Sequence, residues 1–175
     1  LFPEVSLQFF EKLARYYHHP IGEVIFTGLP QRVRQGKDLE THRALKTKTI
    51  LASSLSESSC VPLILNEDQK KAIKAICEKQ DSFCPFLLEG ITGSGKTEVY
   101  LQVADQILQQ GKQVLVLVPE ISLTPQTQER VMQRFGERVL CFHSDMTPAQ
   151  RLKTWQRARS NEPVIVVGTR SALFL

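Results

Sequence analysis

The run Gly90-Ile91-Thr92-Gly93-Ser94-Gly95-Lys96-Thr97 sets glycine, lysine and threonine at the spacing G-x-x-x-x-G-K-T. That spacing suits a polyphosphate. Glycines let the backbone curl around an anion, so that successive N–H groups and the first turn of a following helix point at the β-phosphate. Lys96 is placed to reach the β- and γ-phosphates. The Thr97 hydroxyl suits Mg²⁺, a hard cation that prefers oxygen donors and keeps several waters. Thr92, Gly93 and Ser94 complete the loop, and Glu98 directly beyond it is counted with the cradle.

A cradle of this kind works only between a strand and a helix. Residues 86–89, Phe-Leu-Leu-Glu, read as a short apolar strand ahead of it. Residues 98–110 read as an amphipathic helix with Tyr100, Val103, Ala104, Ile107 and Leu108 inward, closed by Gly111. Further apolar runs at 114–118, 139–142 and 164–168 carry no polar alternation, as expected for strands of a parallel sheet covered on both faces. Between them Thr124-Pro125 and Thr147-Pro148 supply a cap and a first-turn proline for two helices, and Gln150 completes a capping box with Thr147. Asn66 caps a helix over 67–79 whose buried face is Ala72, Ile73, Ile76 and Cys77. The expected fold is therefore α/β, a P-loop lobe with a parallel sheet over residues 63–175.

Ahead of the lobe, residues 6–17 place Phe9, Phe10, Leu13, Tyr16 and Tyr17 on one helical face, with Ser6 as cap. Two shorter helices follow at 21–27 and 30–35, closed by Gly36. Three short helices with tight turns suggest a small winged-helix-like or helix-turn-helix domain over 1–38. Arg32, Arg34 and Lys37 are either nucleic-acid contacts or solvated charges on a packing domain, and three basic residues do not decide between the two. Residues 39–62, rich in Ser, Thr, Lys and Glu, read as a linker.

With 175 residues, 42% hydrophobic and 23% charged, the chain supports one ordinary core and a satellite domain. A net charge of +4 is compatible with nucleic acid but too small to argue for it. The four cysteines form no CxxC pair and sit at no metal-ligand spacing, so they are expected reduced and mostly buried, with no zinc site among them. No stretch approaches a membrane span and no signal sequence opens the chain; cytoplasm is the expected compartment, with no membrane partner.

Two expected strand ends carry unusual loops, Val118-Pro119-Glu120-Ile121-Ser122-Leu123-Thr124-Pro125-Gln126 and Val167-Gly168-Thr169-Arg170-Ser171-Ala172-Leu173. In open α/β sheets ligands sit outside the carboxyl ends of the strands. Hydroxyls, backbone N–H groups and Arg170 there can hold a phosphodiester backbone without reading bases. Plain helix capping accounts equally well for Thr124 and Pro125.

Taken with Asn66-Glu67-Asp68-Gln69, the segments 90–100, 118–126, 140–144 and 167–174 resemble the first motor lobe of superfamily 2 helicases, most closely the bacterial replication-restart (primosomal) helicase family. Residues 16–24, Leu29-Pro30 and Arg34-Gln35-Gly36 are similar to that family's winged-helix domain. The resemblance implies a truncated RecA-like lobe belonging to an ATP-dependent 3′ to 5′ DNA helicase that restarts stalled forks. It makes Gln69 the adenine-reading residue, Lys96 and Thr97 the phosphate and Mg²⁺ contacts, and Pro119, Glu120, Thr124, Thr169 and Arg170 the single-strand track. Capping gives Gln69 a competing role, since a Gln at the third helical position can reach back to the Asn66 N–H. ATP, Mg²⁺, single-stranded and forked DNA, primosome proteins and single-stranded DNA-binding protein are the implied ligands and partners.

No expected strand in this chain ends in Asp-Glu, the acid pair that positions Mg²⁺ and the attacking water. The resemblance puts that box beyond Leu175, and a zinc-binding cysteine cluster and a second lobe with an arginine finger outside the chain. An arginine finger alone is worth about 10³ to 10⁵ in rate, so weak nucleotide binding and negligible turnover are expected of residues 1–175 alone. Two alternatives stand beside the helicase: another P-loop NTPase such as a kinase or transporter ATPase, and a non-catalytic module whose three helices bind DNA.

Overall fold

The computed structural model describes residues 2–36 and 64–175. Lys37, Cys60 and the expected linker lie outside the described residues. Residues 64–175 form α4 (Glu67–Cys77), α5 (Lys96–Gln109), β1 (Val114–Leu117), α6 (Pro125–Phe135), β2 (Val139–Phe142), α7 (Pro148–Ala158) and β3 (Ile165–Gly168), alternating from α5 onward. All three strands are parallel, in the order β1-β3-β2. Strand β3 is central and wholly buried because it has a neighbour on each edge and helices on each face.

Side-chain alternation along β3 divides the core in two. Ile165 and Val167 pack with Leu101, Ala104 and Leu108 of α5 and Val131 and Phe135 of α6. Val164 and Val166 face the other way, against Leu140, Phe142 and Ala172. Burying each such aliphatic side chain is worth about 1.5–3 kcal/mol, so the helix pair α5 and α6 is fixed to the sheet by apolar area alone.

The caps explain where the helices start. Asn66 Oδ1 accepts from the Gln69 N–H at 2.8 Å while Gln69 Oε1 accepts from the Asn66 N–H at 2.9 Å, a complete capping box. Thr147 and Gln150 repeat it at α7, and Thr124 caps α6 ahead of Pro125.

Several expectations need correction. The apolar run at 86–89 joins no sheet, and Leu87 is 84% exposed. A strand exists only by hydrogen bonding to a neighbour, and no strand lies beside this run among the described residues. Coverage on both faces holds for β3 but not for β1, where Leu115 and Leu117 stay exposed among the described residues. On α5 the buried apolar residues are Val99, Leu101, Ala104 and Leu108, while Tyr100 is exposed and Val103 and Ile107 are half-buried, because the face is set by what the sheet and α6 reach. The cysteines are less buried than expected: Cys84 is exposed, and Cys77 and Cys141 are half-buried, where desolvation raises their thiol pKa.

The N-terminal helices form as α1 (Glu4–Tyr17), α2 (Ile21–Thr27) and α3 (Gln31–Arg34). Pro3, not Ser6, precedes the first turn. Phe10 is buried, but Tyr16 and Tyr17 lie exposed at the far end of the expected apolar face. These helices are not independent of the lobe. Trp155 Nε1 of α7 donates to the Gly28 carbonyl at 3.1 Å in a buried contact, and Phe174 stacks on Phe10 with centroids 6.3 Å apart.

Candidate phosphate cradle and strand-end rim

The cradle closes on itself through Lys96 and Gln69. Lys96 sits at the first position of α5, and its Nζ donates to the carbonyls of Gly90 at 2.5 Å and Ile91 at 2.8 Å, spanning the loop. Gly93 and Gly95 both take positive φ, 84° and 82°, which side chains rarely adopt. At Gly95 the demand is double, because a Cβ there would also collide with Gln69 Nε2.

Gln69 serves the cap and also reaches the loop. Its oxygen completes the cap of α4, and its amide nitrogen donates to the Ser94 carbonyl at 3.3 Å, so the helix start is fastened to the loop. A hollow of about 610 Å³ opens beside it, lined by Gln69, Thr92, Gly93, Gly95, Lys96, Thr97 and Glu98 together with Ile64, Leu65 and Arg130. That volume lies in the range of small-ligand sites. Of the expected cradle residues, Gly90 and Ser94 contribute through the loop itself, and the others line the hollow.

Glu98 lines the hollow, yet its carboxylate is spoken for. Oε1 accepts from Arg134 Nη1 at 2.6 Å and from Gln102 Nε2 at 2.9 Å, with only 8% of the Glu98 side chain exposed. Arg130 is a residue that sequence reasoning missed. It lies on α6, one turn before Arg134, and no motif spacing ties it to the cradle; the shared core that holds α5 and α6 on the sheet brings it there.

The rim assembles from two distant loops. Leu117 of β1 pairs with Gly168 of β3, the Val118 N–H donates to the Gly168 carbonyl at 2.9 Å, and the Thr169 N–H donates to the Phe142 carbonyl at 3.2 Å. Both loops therefore leave the same end of adjacent strands. Pro119 leads into a short 3₁₀ turn at Glu120–Ser122, and Thr124 Oγ1 accepts from the Thr127 N–H as the cap of α6. Glu120 and Arg170 are exposed, whereas Thr169 is buried at 4% exposure and offers the rim its backbone. Arg32 and Arg34 are exposed, but α3 packs toward α7 of the lobe and is not a free recognition helix.

The comparisons with known proteins agree with this geometry. Residues 66–175 match the family model described as DEAD/DEAH box helicase. Replication restart protein PriA of Haemophilus influenzae is 54% identical over 112 residues, 64% of this chain and 15% of that protein. Its Bacillus subtilis counterpart is 46% identical over 115 residues, 65% of this chain and 14% of that protein. The Treponema pallidum protein of the same name is 34% identical over 174 residues, 99% of this chain and 25% of that protein. The chain thus spans a quarter or less of the length of these relatives. Matched from the Asn66 cap through the cradle and both rim loops, the chain belongs to the DEAD/DEAH box helicase family.

Proposed function

We propose that this chain supplies one wall of the ATP site and part of the single-stranded DNA track of an ATP-dependent helicase that restarts stalled replication forks and moves 3′ to 5′. The observation that carries the reading is the juxtaposition of the two sites on one lobe: a phosphate cradle whose lysine heads α5, and two loops at the carboxyl ends of adjacent parallel strands. A kinase or transporter ATPase needs only the first.

The donor set fits Mg-ATP. Lys96 exchanges its two carbonyl partners for β- and γ-phosphate oxygens, Gln69 faces the adenine side, and the loop N–H groups with the dipole of α5 hold the phosphates. Thr97, exposed in the first turn of α5, offers the hydroxyl for Mg²⁺, which when bound neutralises charge on the β- and γ-phosphates. Among the described residues Glu98 is the sole acidic one lining the hollow, and Arg134 holds it. Residues 1–175 alone are therefore expected to bind nucleotide and turn it over negligibly.

Pro119, Glu120, Thr124, Arg170 and the Thr169 backbone form the DNA track in this reading, with residues 2–36 docked beside it. Single-stranded and forked DNA are the substrates, and primosome proteins and single-stranded DNA-binding protein are the partners of the whole machine. The test is ATP hydrolysis with and without forked DNA, run side by side on this chain and on the product of its full reading frame. DNA stimulation of the full product alone is the expected result; no stimulation of either rules the helicase reading out. Unwinding of substrates with a 3′ or a 5′ single-stranded tail then reads the direction.

A further inference from the structure

We infer that the Glu98–Arg134 ion pair couples nucleotide in the cradle to DNA on the rim, with α6 as the rigid connector and Arg134 as a positioning residue. The inference rests on the cradle and rim reading proposed above and goes beyond it to how the two sites communicate.

Glu98 directly follows Thr97 in the first turn of α5, so any adjustment of Lys96 and Thr97 to a bound triphosphate moves the Glu98 backbone with them. Its carboxylate is joined to Arg134 at 2.6 Å, a charge-assisted bond too short and too buried to stretch without loss, with 8% and 20% of the two side chains exposed. Arg134 lies in the last turn of α6. At the other end of the same helix, about 15 Å away at about 1.5 Å per residue, Thr124 is both the α6 cap and the end of the first rim loop. Gln128 ties that loop again, donating to the Leu123 carbonyl at 3.4 Å. One straight helix therefore grips the cradle at its C-terminal end and the DNA loop at its N-terminal end. Arg130, one turn before Arg134, adds a second point at which α6 meets the nucleotide hollow.

Stability does not explain the pair. The apolar cluster of Leu101, Ala104, Leu108, Val131 and Phe135 with Ile165 and Val167 already holds both helices on the sheet. Replacing a buried ion pair by apolar groups is often neutral or stabilising, so a pair between two helices already held on one sheet fits a role in registering one against the other.

The test uses the full-length protein, a fluorescent oligothymidine and a non-hydrolysable ATP analogue with Mg²⁺. The DNA Kd is measured with and without the analogue, and the ratio is the coupling, which typically spans about fivefold to about 150-fold in allosteric proteins. The wild type is expected to show a ratio of at least about fivefold. Arg134→Met should bring the ratio to within about twofold of unity, leave the DNA Kd without nucleotide within about twofold, and be rescued by Arg134→Lys, which keeps the charge. Because Arg134→Met strands a buried carboxylate, the double variant Glu98→Gln/Arg134→Met is measured alongside; it should unfold at the wild-type temperature and remain uncoupled. A wild-type ratio in Arg134→Met or in the folded double variant overturns the inference. So does a wild-type protein that binds both ligands with no coupling between them. If the wild type fails to bind nucleotide or DNA at all, it is the proposed function that falls, and the inference falls with it.

Discussion

The phosphate cradle and the strand-end rim are built by opposite routes. The cradle is local: consecutive residues 90–97 make the loop, the loop lysine closes it through Gly90 and Ile91, and Gln69 reaches in from a single helix start. The rim has no local existence. Its loops are brought together only because Leu117 and Gly168 share a parallel register, and because Thr169 hangs from the Phe142 carbonyl. A local site is damaged by changing its own residues, whereas an assembled site answers to whatever holds the sheet and helices in register. Each substitution below, made in the full-length protein, asks whether the two sites are separable in this way.

The largest effect is expected at the cradle itself. Lys96→Ala removes charge-assisted hydrogen bonds to phosphate worth about 1.5–3 kcal/mol, or about 10- to 100-fold in Mg-ATP affinity. Titration with a fluorescent nucleotide reads it. Affinity for single-stranded DNA without nucleotide should stay within about twofold, since sites that share no partners act independently. An equal loss of DNA binding would mean that the cradle and rim are one site.

Gly95→Ala comes next, with about 1–3 kcal/mol lost to a left-handed backbone and to the collision with Gln69. Nucleotide affinity should fall by about 30-fold at the middle of that range. In a Gln69→Ala background, which removes the collision but not the backbone strain, the same substitution should cost less than it does in the wild type. An equal cost in both backgrounds would show that Gln69 does not brace the loop.

What could be read from the sequence follows the same division. Caps and turns are decided within four residues, which is why Asn66 with Gln69, Thr147 with Gln150, and the Thr124-Pro125 start of α6 stood out before any fold was known. The cradle was legible for the same reason. Burial was not, because it depends on what arrives from elsewhere. Residues 86–89 have the composition of a strand but no neighbour to pair with among the described residues, and Leu115 and Leu117 stay exposed there. Glu98 reads as a cradle residue by position, yet its partner Arg134 lies 36 residues on and is placed by packing. Arg130 was invisible on the same account. Three basic residues near the N-terminus left DNA contact and a packing domain equally open, and nothing local announced that α3 would pack toward α7.

The contact that docks those helices is the next to test. Trp155→Phe keeps the ring but deletes the donor to the Gly28 carbonyl, leaving a buried acceptor unpaired at a cost of about 1–3 kcal/mol. The measurement is limited proteolysis within residues 2–36 alongside the unfolding midpoint. Faster cleavage with an unchanged cradle is expected, and equal cleavage would show that the stacking of Phe174 on Phe10 suffices for docking.

The smallest effect is expected at the rim, where many contacts share the load. Arg170 is the exposed cation of the second loop, with the buried Thr169 beside it giving only its backbone. If Arg170 meets a phosphate, Arg170→Ala removes one counterion release on single-stranded DNA, lowering the slope of log affinity against log salt by about 0.7. Near physiological salt that is a loss of a few-fold, uniform across sequences, because a phosphate contact positions the strand without reading it. Nucleotide affinity without DNA should not move. The salt slope is the sharper readout, since a general loosening of the loop would weaken binding while leaving the number of released ions the same. An unchanged slope with weaker binding would place Arg170 in the architecture of the rim and leave the phosphates to other residues.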